Sequence, residues 1–223
     1  MKHFFLLIVA AILSLHTFSQ NWVLEWYKTG NKAFLSSQIT SKANQGYLPV
    51  GIEVAPDPDG TVVSLYVLYI FDQSLGITAW YLDTYTSELS LESGINSMGR
   101  QDYVPKEIAY YDGTYYVLYL RFSNAATAWT IQNAVYSNQG LSGTISRYDA
   151  QGYVPFGYTL ARGSLKLLFV KIPLNTLTGW TVEVYKGLYA TRQGITAKQS
   201  EGWSPWALLV DGNEFIIMYL KNG

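Results

Sequence analysis

Four short segments of similar sequence recur along the chain and constrain its architecture more than any other feature. Each segment holds a Gly or Asp, an aromatic residue, one variable residue and a proline. These tag segments are residues 46–49, 102–105, 152–155 and 202–205, and their aromatic residues lie 56, 50 and 50 positions apart. Repeats of this length fold as supersecondary units that bury their apolar faces on neighbouring units. We therefore expect four similar units.

Further landmarks keep the same order in every copy. An isoleucine stands eight positions before each tag aromatic residue, a tryptophan stands further upstream, and an apolar run follows the tag proline. Because these residues recur with the scaffold, we expect the tryptophans and the tag aromatic residues to pack in the core. The isoleucines are Ile39, Ile95, Ile145 and Ile195, and the tryptophans are Trp22, Trp80, Trp129 and Trp180.

The pattern within one copy predicts three antiparallel strands and a short helix. A strand after the tag proline turns at Asp112-Gly113, which is a strong hairpin signal, and residues 114–122 return as the second strand. The landmark tryptophan, such as Trp129, begins the third strand. Residues 36–46 have serine at one end and glycine at the other, which suits a capped helix. If this segment is a fourth strand instead, the fold is a four-bladed β-propeller.

The positions of the landmarks predict that the units close on themselves. We expect a mainly β fold of one domain over residues 20–223, a pseudo-four-fold ring whose first unit is split between the two termini. Closure removes exposed sheet edges, which would otherwise pair with other chains. The predicted units are residues 47–102, 103–152, 153–202, and 203–223 completed by 20–46.

These landmarks resemble bacterial tandem repeats of the Gly-Tyr-x-Pro type. The resemblance rests on the 47–49 tag with Ile39 before it, and on a tryptophan 23 or 24 positions before three of the four tag aromatic residues. It implies a strand–strand–strand–helix unit, and such repeats accompany secreted hydrolase domains in some proteins. This chain shows no hydrolase domain, so the resemblance transfers no catalytic residue. The family usually has arginine where this chain has Leu48, Val104, Val154 and Ser204.

Residues 1–19 have the pattern of a secretory signal peptide. Lys2 gives a positive start, residues 4–15 form a short apolar stretch, and small residues precede a cleavage site before Gln20. The stretch is too short to span a bilayer comfortably. We therefore expect a secreted or periplasmic protein, without membrane insertion after cleavage.

The remaining composition narrows the chemistry. The chain has no cysteine, and its two histidines, His3 and His16, lie in the predicted signal peptide. The mature chain would thus lack thiol nucleophiles, thiolate metal sites, serine–histidine–aspartate chemistry and histidine–metal sites. We expect no cofactor and no metal.

The charge balance bears on partners. Without Lys2 the chain has 14 basic and 16 acidic residues. A nucleic-acid-binding protein normally shows a basic patch or stripe, and none is evident in the sequence, so no nucleic acid is expected. We expect a monomer that binds a glycan or an extracellular protein.

The third strands supply the candidate site. Side chains alternate between the two faces of a strand, and the landmark tryptophan marks the inward face. Three units then place a carboxylate and a tyrosine together on the opposite face, which we predict to face outward. Carboxylates accept hydrogen bonds from sugar hydroxyls, and aromatic rings stack on sugars. In the remaining unit Gln132 and Ala134 replace the pair. The candidate ligand-binding residues are Glu25, Tyr27, Asp83, Tyr85, Glu183 and Tyr185.

These residues predict a non-enzymatic glycan-binding module. One alternative is a protein-interaction or inhibitor scaffold, with the hairpin tips and the inserted loop at residues 56–60 as the contact surface. Another is a hydrolase that uses carboxylates alone. The acidic residues are spread once per unit instead of converging, which disfavours the hydrolase. The ordinary solvent-facing side of a half-buried strand also accounts for alternating polar residues.

Overall fold

A computed structural model describes residues 21–29, 31–57, 62–71, 76–123, 128–135, 138–161, 164–171 and 177–222. The predicted signal peptide lies outside these residues. The described chain repeats the order strand, helix, strand, strand four times. The first two units comprise β1 (Trp22–Lys28), α1 (Lys32–Ala43), β2 (Leu48–Pro56), β3 (Val63–Ile70), β4 (Ile77–Tyr85), α2 (Glu88–Gly99), β5 (Tyr103–Tyr111) and β6 (Thr114–Phe122). The last two comprise β7 (Ala128–Asn133), α3 (Asn138–Asp149), β8 (Val154–Ala161), β9 (Ser164–Lys171), β10 (Leu177–Lys186), α4 (Leu188–Ser200), β11 (Trp203–Asp211) and β12 (Glu214–Asn222).

The strands form four separate antiparallel sheets of three. Their orders are β1-β3-β2, β4-β6-β5, β7-β9-β8 and β10-β12-β11. In each sheet the last strand in sequence lies in the middle, flanked by the landmark-tryptophan strand and the tag strand. This confirms a mainly β fold of four units, each with three antiparallel strands and a helix.

The prediction of a unit split between the termini is wrong. Trp22 pairs with Ile70 and Lys28 with Ser64, so β1 joins the middle strand that follows it in sequence. Each sheet is therefore built from one contiguous stretch of chain. The sequence pattern gives only the order of the landmarks along the chain. It does not show whether a landmark-tryptophan strand pairs with the middle strand before it or with the middle strand after it.

Contacts between units run in cyclic order. Strand β2 contacts β5 and β11, and β8 contacts the same two strands. The guanidinium of Arg192 on α4 donates to the Leu24 carbonyl at 3.2 Å, while Lys32 on α1 reaches Asp83 on β4 at 2.6 Å. The helix of the first unit thus contacts the first strand of the second unit, and the helix of the fourth unit contacts the first strand of the first unit.

The segment before each tag is a helix, as predicted, and this structure disfavours the four-stranded propeller blade. The predicted start at Ser36 is wrong, because α1 begins at Lys32 after Asn31, whose side chain accepts the N–H of Ala33 at 2.8 Å. Gly46 has the left-handed φ of +89° that suits the residue after a helix. The N–H of Tyr47 then donates to the Lys42 carbonyl at 3.2 Å, which folds the tag back on the last helical turn.

The hairpins also match the prediction, and each tag strand adds an irregularity. Asp112 and Gly113 have φ of +44° and +78° at the turn between β5 and β6. Directly after the tag proline, the pairing of every tag strand with its middle strand skips one residue, which forms a β-bulge. The extra residue of each bulge is buried in the interior. These residues are Val50, Lys106, Phe156 and Trp206.

Both faces of a sheet are covered. In the first unit, Trp22 and Leu24 are buried against the inner core, while Tyr27 packs with Leu35 and Ile39 of α1. The middle strands are accordingly buried along almost their whole length, as the consecutive apolar residues predict. No helix among the described residues combines the length and apolar character needed to cross a membrane.

Candidate functional site

The predicted carboxylates lie in ion pairs beside the helices. Lys42 lies 2.9 Å from Glu25, and Lys198 lies 2.9 Å from Glu183. Lys42 and Lys198 each stand three positions after the landmark isoleucine of their helix. The second unit has Met98 there, and its Asp83 binds Lys32 from the preceding helix instead. The side chains of Glu25, Asp83 and Glu183 keep 36, 23 and 38 % of their surface exposed.

The predicted tyrosines are engaged beneath the helices instead of on an open face. The hydroxyl of Tyr27 lies 3.0 Å from that of Tyr69, and Tyr85 and Tyr185 form equivalent pairs with Tyr119 and Tyr219 at 3.0 and 2.9 Å. Burial raises the pKa of the inner tyrosine in each pair. The Tyr85 hydroxyl also donates to the Asp83 carboxylate at 3.2 Å. Each predicted tyrosine therefore lies near its unit's carboxylate, with its hydroxyl held by a buried tyrosine of the middle strand.

A different aromatic ring lies at each ion pair. The Lys42 ammonium is 6.0 Å from the centre of the Tyr47 ring, and Lys198 is 5.9 Å from Trp203. In the second unit Lys32 is 5.5 Å from Tyr81. We name these groups the carboxylate–lysine–aromatic clusters. Their members are Glu25, Lys42 and Tyr47 in unit 1; Asp83, Lys32 and Tyr81 in unit 2; and Glu183, Lys198 and Trp203 in unit 4.

The tag aromatic residues are half-buried, so they pack against the core without being fully enclosed in it. In three units a basic side chain at the end of the middle strand lies over the tag ring. The pairs are Arg121 with Tyr103, Lys171 with Tyr153, and Lys221 with Trp203, at 5.3, 4.7 and 5.2 Å. Of the landmark tryptophans, Trp22 is buried and Trp129 is 41 % exposed.

Two helical glycines make room for the inward tyrosines. A Cβ at Gly94 would lie 2.2 Å from the Tyr85 ring, and one at Gly194 would lie 2.0 Å from Tyr185. Glycine disfavours a helix, so these residues weaken the helix prediction from sequence. In the structure they let a tyrosine ring lie directly against the helix backbone. This explanation for the helical glycines comes only from the packed structure.

The third unit differs at every corresponding position. Gln132 donates to the Thr130 hydroxyl at 2.7 Å where the other units have carboxylates. Tyr148 occupies the position of the helix lysine, and its ring stacks on Phe169 with centroids 4.6 Å apart. Ala134 stands where the other units have the inward tyrosines. The unit thus exchanges an ion pair for an aromatic stack.

A buried polar group lies where the four tag strands meet. The carboxylate of Glu107 on β5 accepts the N–H groups of Ile52, Leu208 and Tyr158 at 2.7, 3.1 and 3.3 Å. These donors lie on the tag strands of the other three units. Gly51 accommodates the carboxylate, because a Cβ there would lie 2.9 Å from its Oε2. Sequence reasoning missed Glu107, since a polar residue in an apolar strand gives no sign of its partners.

Lys106 lies in the same interior and is equally buried. Its ammonium donates to the Phe156 carbonyl and lies 4.7 Å from the centre of the Trp206 ring. Burial raises the pKa of Glu107 and lowers the pKa of Lys106. The three N–H donors and the neighbouring ammonium favour the ionised carboxylate and oppose part of this shift. Both side chains are buried, and the group joins the units.

Comparisons with known proteins add no relative. No protein-family model matches the chain, and no curated protein matches it significantly. The described residues contain no group of three acidic, histidine or cysteine side chains that could hold a metal ion.

Proposed function

We propose that the protein is a non-enzymatic glycan-binding module of the secreted or periplasmic space. The observation that carries this proposal is the recurrence of a carboxylate–lysine–aromatic cluster in three of the four units. Each cluster combines a partly exposed carboxylate, an ammonium group and an aromatic ring. This combination offers hydrogen-bond acceptors and donors for sugar hydroxyls together with an apolar surface for the sugar ring.

The chemistry of each cluster leaves capacity for a ligand. A carboxylate has about four lone-pair positions and an ammonium has three N–H donors, and the mutual ion pair uses one on each side. Asp83 also accepts the Thr84 N–H and the Tyr85 hydroxyl, at 2.9 and 3.2 Å. In unit 2 the Lys32 ammonium lies beside the Tyr81 ring, and Tyr81 is 39 % exposed. The inward tyrosines, Tyr27, Tyr85 and Tyr185, then support the clusters from below.

Separate sites of moderate affinity suit a polymer. Three of the four units carry this chemistry, so a polysaccharide that spans two or more clusters would gain avidity. A catalytic carboxylate pair would need two acidic groups within several Å on either side of one bond. The cluster carboxylates instead each face a lysine.

A glycan-array screen of the secreted protein, followed by titration of the best ligand, tests the proposal. The triple variant Glu25→Gln, Asp83→Asn, Glu183→Gln should bind at least about tenfold more weakly, because each change removes a charge-assisted acceptor. The control Tyr27→Phe, Tyr185→Phe removes only hydroxyls that pair with Tyr69 and Tyr219 and should keep its affinity. Absence of binding to any glycan, or equal affinities of the wild type and the first variant, would contradict the proposal.

One observation favours a protein partner as a second candidate function. Leu89 and Tyr189 stand six positions before the landmark isoleucines of α2 and α4 and are 78 and 75 % exposed. Large side chains that protrude from a helix can anchor a partner protein by inserting into its pockets. The predicted contact loop lies mostly outside the described residues. Variants Leu89→Ser and Tyr189→Ser would weaken a protein complex without changing glycan affinity.

A further inference from the structure

We infer that the third unit binds the acidic group of a saccharide, at a site formed by Arg147, Tyr148, Tyr153 and Lys171. This inference rests on the proposed glycan-binding function and specifies the ligand class for the unit that lacks a carboxylate–lysine–aromatic cluster. The sequence alone predicts that this unit has lost its site, because Gln132 and Ala134 replace the carboxylate and tyrosine.

The aromatic part of the site is well defined. The rings of Tyr148 and Tyr153 meet edge to face, with centroids 5.9 Å apart at 79°. The N–H of Tyr153 donates to the Tyr148 carbonyl at 3.1 Å, after Gly152 turns the chain with a φ of +77°. Phe169 supports Tyr148 from below through the stack. Both tyrosines remain partly exposed, so their rings can contact a sugar.

Two cations flank these rings. The Arg147 guanidinium lies 5.3 Å from the centre of the Tyr148 ring, and the Lys171 ammonium lies 4.7 Å from that of Tyr153. A guanidinium lying over a ring keeps its N–H groups at its edge, where they can donate to a carboxylate. Gln132 adds a neutral amide where a carboxylate in the other units would repel an anion.

The charge distribution along the chain supports an anionic ligand independently. Residues 123–171 contain four basic side chains and one acidic side chain, a net charge of +3. The rest of the predicted mature chain has ten basic and fifteen acidic side chains, a net charge of −5. An anion is therefore attracted to the third unit and repelled elsewhere. Stacking rings beside cations also suit single-stranded nucleic acid, but the predicted export of the protein favours a saccharide.

The test compares a uronic-acid oligosaccharide with its carboxyl-reduced counterpart of the same length, by calorimetric titration of the full secreted protein. Wild type should bind the acidic form about tenfold more tightly, and this preference should shrink as salt screens the charges. The variant Arg147→Gln, Lys171→Gln should lose the preference and keep its affinity for the reduced form. The control Arg100→Gln, Lys186→Gln has the same change in net charge in other units and should keep the preference.

Each other outcome would overturn the inference. Binding of the reduced form without preference for the acidic form would refute the third-unit site but leave the proposed function intact. No binding of either form would refute the third-unit site, whereas the glycan array decides separately on the proposed function. An equal loss of preference in the two double variants would show a diffuse charge effect instead of a site. Tighter binding of a single-stranded oligonucleotide of matched charge would show that the ligand class is wrong. Far-ultraviolet circular dichroism of each variant confirms that it is folded.

Discussion

At the scale of single residues, glycine position decides how closely a helix approaches its sheet. Gly194 lies against the Tyr185 ring, whereas a Cβ at Gly143 on α3 would meet no atom within 4 Å. A side chain added at Gly194 would thus collide with a ring, whereas one added at Gly143 would enter open space. In the sequence the two glycines differ in register, because Gly194 stands directly before the landmark isoleucine and Gly143 stands two positions before it. The sequence does not show that a ring lies against only one of the two positions.

This difference predicts opposite effects of one substitution. Gly194→Ala should destabilise the protein by about 1–3 kcal/mol, because the new methyl group forces the Tyr185 ring to move. Gly143→Ala should be neutral or stabilise by up to about 1 kcal/mol through higher helix propensity. Urea unfolding measures both free energies. A stabilising Gly194→Ala would show that the ring does not lie against α4.

At the scale of elements, each helix is joined to its sheet by apolar packing and by the tyrosine pairs beneath it. Tyr69, Tyr119 and Tyr219 lie on middle strands and are fully buried. Their alternation with apolar neighbours gives a continuous buried strand, so the sequence predicts their burial. Their hydroxyl partners come from the first strand of the same unit, and that pairing depends on which edge of the middle strand the first strand occupies.

The buried tyrosines predict a loss of stability in alkali. Burial raises the pKa of Tyr69, Tyr119 and Tyr219 above the ordinary value of 10.0. Above that pH the unfolded chain releases protons that the folded protein retains, so the free energy of unfolding should fall as pH rises. Each tyrosine contributes about 1.4 kcal/mol per pH unit. Urea unfolding at a series of pH values above about 9 measures this slope.

Matched variants assign the slope to the buried hydroxyls. Tyr219→Phe and Tyr69→Phe should each reduce the slope by the contribution of one tyrosine. Equal slopes in wild type and Tyr219→Phe would mean that Tyr219 ionises as readily in the folded state as in the unfolded state.

At the scale of the whole molecule, the fourth unit contacts the first through the same elements that join the first to the second. Strand β11 contacts β3, as β2 contacts β6, and all four tag strands converge on Glu107. Such a buried carboxylate is stabilised only while its three N–H donors stay in place. The units are therefore interdependent, even though their sheets share no ladder.

Cyclic contacts predict that the chain tolerates circular permutation. The segments between β3 and β4 and between β6 and β7 have six and five residues, so a linker of about six residues should join residue 222 to residue 22. With new termini in 124–127, this permutant should unfold in one transition, within about 2 kcal/mol of wild type. A control opened between Tyr119 and Leu120 should not fold. Failure of the first permutant would argue against a closed ring.

The sequence by itself determined the number of units, the hairpins and the existence of the helices, because turn residues, caps and hydrophobic periodicity act within a few residues of the chain. It also indicated the carboxylate positions at Glu25, Asp83 and Glu183. Only the tertiary structure decided which strands share a sheet, that α1 covers Tyr27, and that Glu107 binds three other units. The Glu107 contacts join groups 51 to 101 residues apart, which meet only when the units pack. The pairing of β1 with β3 joins residues 36 to 48 apart, across a helix and a strand, so local signals do not fix it either.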